Sequence, residues 1–262
     1  MTMKKILILL CALILTGCAT QEGLRIDRSL TAKGQASRVR FLVLHYTVSD
    51  LPSSIRILTE QEVSSHYLLT DEPQPKVYQL VDETRSAYHA GISSWKGYTQ
   101  LNNSSVGIEI VNPGFTNNPD GSRTWYPFPA AQVDTLLALV KDIVARHKIA
   151  PENVVGHADI APQRKQDPGK LFPWSLLGQH GLVVWPDGEI VSAVMPVYLS
   201  NVPDAAWFQK KLAAFGYAAP MTGEWDKASQ NVLTAFQMRY RQSNIDGQMD
   251  AESAALLQAL TK

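Results

Sequence analysis

Six histidines are the first candidates for chemistry in this chain, because its only two cysteines, Cys11 and Cys18, lie at the extreme start. Two of the six follow apolar runs. His45 comes after Phe41-Leu-Val-Leu44, and His157 after Val154-Val-Gly156. Both are read as sitting at the ends of buried strands, where side chains can converge on a site. After His157 the chain continues Ala-Asp-Ile-Ala-Pro-Gln-Arg-Lys165-Gln-Asp167-Pro-Gly169. Its prolines and glycine stiffen and turn the loop, so Asp167 can return toward the histidine. Two imidazoles and one carboxylate leave a fourth tetrahedral position open, which is the donor set of a catalytic zinc. Such a metal lowers the pKa of water toward ~7 and polarises a carbonyl. Spacing alone leaves the question open. A histidine after a strand also packs or hydrogen-bonds, and Asp before Pro is common in turns. The chain has no HExxH helix, no P-loop and no GxSxG elbow.

The elements that must position these residues follow from periodicity. The run from Arg38 to Thr47 predicts a strand buried on both faces. Lys76–Val81, Ser105–Val111 and Asn153–His157 are further strand candidates. A helix is predicted from Ala130 to His147, because Val133, Leu136, Leu137, Val140, Ile143 and Val144 form one apolar stripe. Pro129 suits its start, and Arg146 and His147 suit its end. Ser53–Glu60 reads as a shorter helix. Strands mixed with helices predict an α/β domain, a mixed sheet flanked by helices, over residues 38–195.

Residues 202–262 predict a small all-α domain. Asp204, Asp226 and Asp250 can each cap a helix, and Gly216 can close the first. The second and third helices begin alike, Gly223-Glu-Trp-Asp226-Lys-Ala-Ser229 and Gly247-Gln-Met-Asp250-Ala-Glu-Ser253.

The beginning of the chain predicts an address. Lys4 and Lys5 precede an apolar run from Ile6 to Leu15, too short to span a bilayer. Leu15-Thr16-Gly17-Cys18 then resembles the lipobox of bacterial lipoproteins. The resemblance implies a signal peptide over 1–17, lipidation of Cys18 and a polar tether over 18–37. Ala19 after the cysteine favours the outer membrane, facing the periplasm. Removing the 17-residue leader from the 262-residue chain leaves 245 residues, with 22 basic against 24 acidic side chains. That near balance gives no argument for nucleic acid. The folded part then has no thiol, so any metal must be held by His, Asp or Glu.

Five stretches occur in order: Val43-Leu-His45-Tyr-Thr47, Val63-Ser-Ser-His66-Tyr67, Tyr88-His89-Ala-Gly91, Ser105-Val-Gly-Ile-Glu109, and Gly156-His157 through Asp167-Pro-Gly169. Over about residues 38–178 they resemble the N-acetylmuramoyl-L-alanine amidase type 2 family, related to peptidoglycan recognition proteins. The resemblance implies one zinc on His45, His157 and Asp167, a catalytic carboxylate at Glu109 and a catalytic Lys165. It implies hydrolysis of the amide between the lactyl group of N-acetylmuramic acid and L-alanine. On alternation, Glu109 shares a strand face with Gly107, away from Val106 and Ile108. Without the resemblance, Glu109 reads rather as an exposed strand residue and Lys165 as a solvated loop charge. His66 and His89 either line the substrate cleft, orient a ligand or pack. Tyr67 and Trp95 lie against substrate or in the core. Residues 202–262 resemble a type 1 peptidoglycan-binding domain, which either anchors substrate or stabilises its neighbour. Peptidoglycan or muropeptides are the expected partner and a monomer the default state. A recognition protein that does not cut, and a zinc peptidase acting within stem peptides, are the rival readings.

Overall fold

The computed structural model describes residue 24 and residues 26–261. The leader at 1–17 and Cys18 lie outside these residues. Residues 26–36 contain no helix or strand and are exposed; Ser37–Lys262 form a separate compact unit. Its elements are β1 (Phe41–Tyr46), α1 (Leu51–Glu60), β2 (Tyr67–Leu69), β3 (Val77–Gln79), β4 (Ser94–Trp95), β5 (Tyr98–Thr99), β6 (Ser105–Ile110), β7 (Phe115–Asn117), β8 (Arg123–Trp125) and α2 (Ala130–His147). Then come β9 (Val154–Gly156), α3 (His157–Ile160), α4 (Trp174–Gln179), α5 (Gly188–Ser200), α6 (Ala205–Phe215), α7 (Lys227–Tyr240) and α8 (Ala251–Leu260).

The main sheet has the order β3-β2-β6-β1-β9, with only β3 antiparallel to its neighbour. Parallel strands need cover on both faces, and the period of two divides their side chains between two cores. Leu42 and Leu44 of β1, Val106, Ile108 and Ile110 of β6 and Val154 of β9 pack with Leu136, Val140 and Ile143 of α2. Phe41, Val43 and Val155 turn the other way and pack with Phe208, Leu212, Val232, Phe236 and Leu257 of α6, α7 and α8. The helical segment therefore covers one face of the sheet and shares a core with it.

Helix α2 has the predicted bounds, and its apolar stripe explains why. Asp50 caps α1 by accepting from Ser53 N, so that helix starts two residues before the predicted Ser53. The caps Asp204, Asp226 and Asp250 accept from Trp207, Ser229 and Ser253 amides at 2.9, 2.7 and 2.8 Å. The paired Gly–Ser loops share one device. Gln209 and Gln237 are both buried; each accepts from the loop glycine (Gly223 or Gly247) and donates to the following serine. Helix α5 runs through residue 195, where the sequence places the end of the first domain, and packs on α8. The strand expected to reach His157 stops at Gly156, and His157 opens α3 instead. Among the described residues no helix is long and apolar enough to cross a membrane.

Candidate active site

The parallel register sets out the site. His45 lies opposite Glu109 on neighbouring strands, and Leu44 lies opposite Gly156, one residue before His157. His45, Glu109 and His157 therefore meet at the carboxyl ends of three parallel strands, the place where open α/β sheets form a crevice. By alternation His45 shares the face of Phe41 and Val43, and Glu109 that of Ser105 and Gly107. Asp167 returns from the loop, and Ala158 N donates to its carbonyl at 2.8 Å. The outcome is an almost equilateral triangle: His45 Nδ1, His157 Nδ1 and Asp167 Oδ2 are 3.0 Å apart in every pairing. Among the described residues these three alone form a cluster able to hold a metal ion, and all are buried.

Proton accounting shows what this triangle needs. The Ser105 hydroxyl donates to Leu101 O at 2.6 Å, so its oxygen accepts from His89 Nε2 at 3.1 Å. His89 Nδ1 is then an acceptor, and His45 Nε2 donates to it at 3.0 Å. That leaves a lone pair on His45 Nδ1, aimed at the Asp167 carboxylate and the His157 ring. Burial first, and then the His157 ring, hold the His45 pKa down at about 4, so no second proton relieves the contact near neutral pH. Burial alone would raise Asp167, but His157 and His45 hold its carboxyl far below the usual carboxylate range. A proton on His157 Nδ1 can serve only one of the two acceptors facing it. A cation at the centre satisfies all three. Donors on a tetrahedral zinc, with bonds of about 2.0–2.1 Å, stand about 3.3 Å apart. The triangle has to open by only a few tenths of an ångström to take one.

Glu109 faces the same cavity, which Tyr46, His89, Lys165 and Asp167 also line. It is not the exposed strand residue that β-alternation alone allowed. Its Oε2 is buried and has no hydrogen-bond partner among the described residues. Burial, then the Asp167 charge, push its carboxyl well above the ordinary range, while Lys165 pulls the other way. A carboxyl that faces the cavity with a free oxygen can exchange a proton with a group bound there.

The other expected cleft residues divide. His89 lines the cavity and orients His45. His66 lies fully buried behind it; its Nδ1 accepts from Gly107 N and its Nε2 donates to Arg85 O. Tyr67 and Trp95 are core residues instead. Tyr67 packs under the sheet with its hydroxyl donating to Glu83. Trp95 donates its indole N–H to Glu152 O and packs edge-on against Phe215 and Tyr217 of the helical segment. Both rings are amphipathic, and both spend their polar tip on a protein partner.

Sequence reasoning passed over Tyr46, Val48, Tyr88 and Arg164. Val48 stands at the rim, 62% exposed, with φ of +55°. That is an outlier conformation for a β-branched side chain, of the kind found at functional sites. Arg164 donates to Ala90 O and Ile92 O, tying the segment after His89 to the His157 loop. The quoted stretches around residues 43–47 and 88–91 were the signal for Tyr46 and Tyr88.

Comparison with known proteins gives this arrangement a setting. Residues 35–170 match the family model described as N-acetylmuramoyl-L-alanine amidase, and 201–257 one described as putative peptidoglycan binding domain. The chain is 43% identical over 263 residues to the N-acetylmuramoyl-L-alanine amidase AmiD of Escherichia coli K12, covering 95% of this chain and 94% of that one. Its structure is similar, with a TM-score of 0.83 and 42% identity, to that of E. coli AmiD in complex with the substrate anhydro-N-acetylmuramic acid-L-Ala-D-gamma-Glu-L-Lys; 92% of this chain and 95% of that one are covered. AmpDH3 of Pseudomonas aeruginosa in complex with anhydromuramic pentapeptide is similar at the same TM-score, with 37% identity over 90% of this chain and 97% of its own. With the match running through both the sheet that carries the triangle and the helices that cover it, the chain belongs to the N-acetylmuramoyl-L-alanine amidase family.

Proposed function

We propose that this amidase works with a single zinc ion held by His45, His157 and Asp167, and that it cuts between the lactyl group of N-acetylmuramic acid and L-alanine. The observation that carries the reading is the triangle of donor atoms at 3.0 Å, with the lone pair of His45 Nδ1 turned inward by His89 and Ser105. Zinc in that triangle supplies Lewis acidity, which polarises an amide carbonyl and makes water a better nucleophile. Glu109, whose buried Oε2 has no hydrogen-bond partner among the described residues, lines the same cavity; it takes the proton of the attacking water and returns it to the leaving nitrogen. Lys165, which lines the same cavity, brings its ammonium to the negative charge that develops on the carbonyl oxygen. Val48 and Tyr88 offer apolar surface at the mouth for the substrate's non-reacting parts. Substrates with an anhydromuramyl end fit this reading, because two similar proteins were solved with such ligands. Acylation at Cys18 would keep the enzyme on the outer membrane, facing the periplasm, and a Cys18→Ser chain should leave the membrane fraction.

The test is digestion of purified muropeptides with the chain lacking residues 1–18, read by mass spectrometry. Release of an intact stem peptide beginning with L-alanine supports the proposal. Substrate that is bound but uncut, or cleavage between stem residues, refutes it.

A further inference from the structure

The helical segment reaches the metal-binding turn through a buried charge. Asp159 lies two residues after His157 and is 2% exposed. Its Oδ2 accepts from Gly156 N at 2.8 Å, closing the turn on which His157 stands. The same oxygen takes Arg239 Nη1 of α7 at 2.7 Å, and Oδ1 takes the Tyr217 hydroxyl at 2.6 Å. Arg239 Nη2 donates onward to Val154 O at 3.1 Å, so one guanidinium grips β9 and the residue that caps the turn. Arg239 is itself 2% exposed, and its guanidinium lies over the Trp174 ring at 4.3 Å. That ring and Pro168 close over Gly156, where a β-carbon would come within 3.1 and 2.7 Å of them. The residues on both sides of Gly156–His157 are thus held by groups from beyond residue 200, and Ala158 N passes the constraint to Asp167.

A buried ion pair is a costly way to join two parts of a fold, because both charges lose their hydration. Apolar packing already joins these parts through Trp95, Phe215 and Phe236. The added charge therefore needs another use, and its geometry supplies one. We propose that Arg239 and Tyr217 are positioning residues for the metal site: they fix the Asp159 carboxylate, which fixes the Gly156 amide and with it the direction of His157 Nδ1. The helical segment is on this account part of the catalytic framework, whatever it binds. The inference rests on the reading of His157 as a zinc ligand.

The experiment uses the full folded unit with Arg239→Gln, Arg239→Lys and Tyr217→Phe. Leu257→Ala, a cavity in the same helical core that removes none of the hydrogen bonds to Asp159, is the control. Three quantities are read: the zinc dissociation constant by chelator competition, the visible absorption of the cobalt-substituted protein, and the thermal midpoint. Arg239→Gln and Tyr217→Phe should weaken zinc binding about ten- to hundredfold, the usual effect of removing a group that orients a ligand. They should also change the cobalt band. Arg239→Lys keeps a cation on Asp159 and should recover part of the affinity. Leu257→Ala should lower the midpoint and leave both metal readouts unchanged. The proposal is overturned if Arg239→Gln and Tyr217→Phe keep the parent's affinity and band, or if Leu257→Ala shifts them equally. Should Arg239→Gln fail to fold, Tyr217→Phe loses one hydroxyl only and decides the matter. A parent chain that binds no zinc would instead refute the metal reading, and this inference with it.

Discussion

Gly107→Ala tests whether the second row behind the metal ligands is as tightly set as the hydrogen bonds imply. A β-carbon on Gly107 would lie 2.6, 2.7 and 2.8 Å from Cγ, Nδ1 and Cδ2 of His89. Ordinary carbon contacts are about 3.5–4.0 Å, so the ring must move by about 1 Å. It has nowhere to go without losing a bond, since Nδ1 holds His45 at 3.0 Å and Nε2 holds Ser105 at 3.1 Å. Overpacking a buried site costs about 1–3 kcal/mol. Leaving His45 Nε2 without its acceptor costs about 1–3 kcal/mol more. Against a total stability of about 5–15 kcal/mol, the variant should melt well below the parent but still fold. The lone pair of His45 Nδ1 would no longer be held inward, so zinc affinity should fall about ten- to hundredfold. Differential scanning calorimetry with and without zinc, and zinc titration against a chelator, read the two effects. Gly188→Ala is the control: a β-carbon there meets nothing within 4 Å and the backbone is unstrained, so it should be neutral. If Gly107→Ala matched the parent in both midpoint and zinc affinity, the account of His89 as the residue that orients His45 would be wrong.

Glu109→Gln should keep the full zinc content and lose at least about a hundredfold in turnover, because general acid–base catalysis contributes about 10²–10⁴-fold; unchanged turnover removes Glu109 from the mechanism. The metal-free protein should lose stability in acid. His45 titrates at about 4 in the folded chain against 6.5 ordinarily, so between these values the unfolded chain binds more protons. The stability is thus present above pH 6.5 and lost as the pH falls toward 4, by up to about 3 kcal/mol in urea unfolding. Equal stability at pH 7 and pH 4.5 would contradict it. Asp226→Ala removes the acceptor of Ser229 N and should cost about 1 kcal/mol without changing the metal affinity, as chemical denaturation and zinc titration can show.

How much of this was legible in the sequence depends on distance along the chain. The apolar runs before His45 and His157 and the turn-forming residues around Asp167 are local signals; they made the three residues candidate donors, and the family resemblance selected them as a ligand set. The stripe of α2 and the three capping aspartates are local as well, and those helices stand where they were expected. Strand β2 is only three residues, too short to show a period, and α5 carries Pro196 and buries no residue fully, so no apolar face marks it. The longest link of the Leu101–Ser105–His89–His45 chain, from His89 to His45, spans 44 residues, and Arg239 meets Asp159 across 80 residues. No periodicity reports such contacts. Trp95 shows the same limit. An aromatic residue suits a sugar-binding cleft and a core equally, and only Phe215 and Tyr217, brought over by the helical segment, decide between them.

The central claim is that His45, His157 and Asp167 hold the one metal on which amide hydrolysis depends. The most direct measurement strips the protein with a chelator, restores zinc in steps, and follows release of L-alanine-initiated stem peptide from a muropeptide. The account predicts activity that rises linearly and stops at one zinc per chain, with neither binding nor activity recovered by Asp167→Ala. Full activity in the stripped protein, or an Asp167→Ala chain that takes up one zinc and cuts as the parent does, would contradict it.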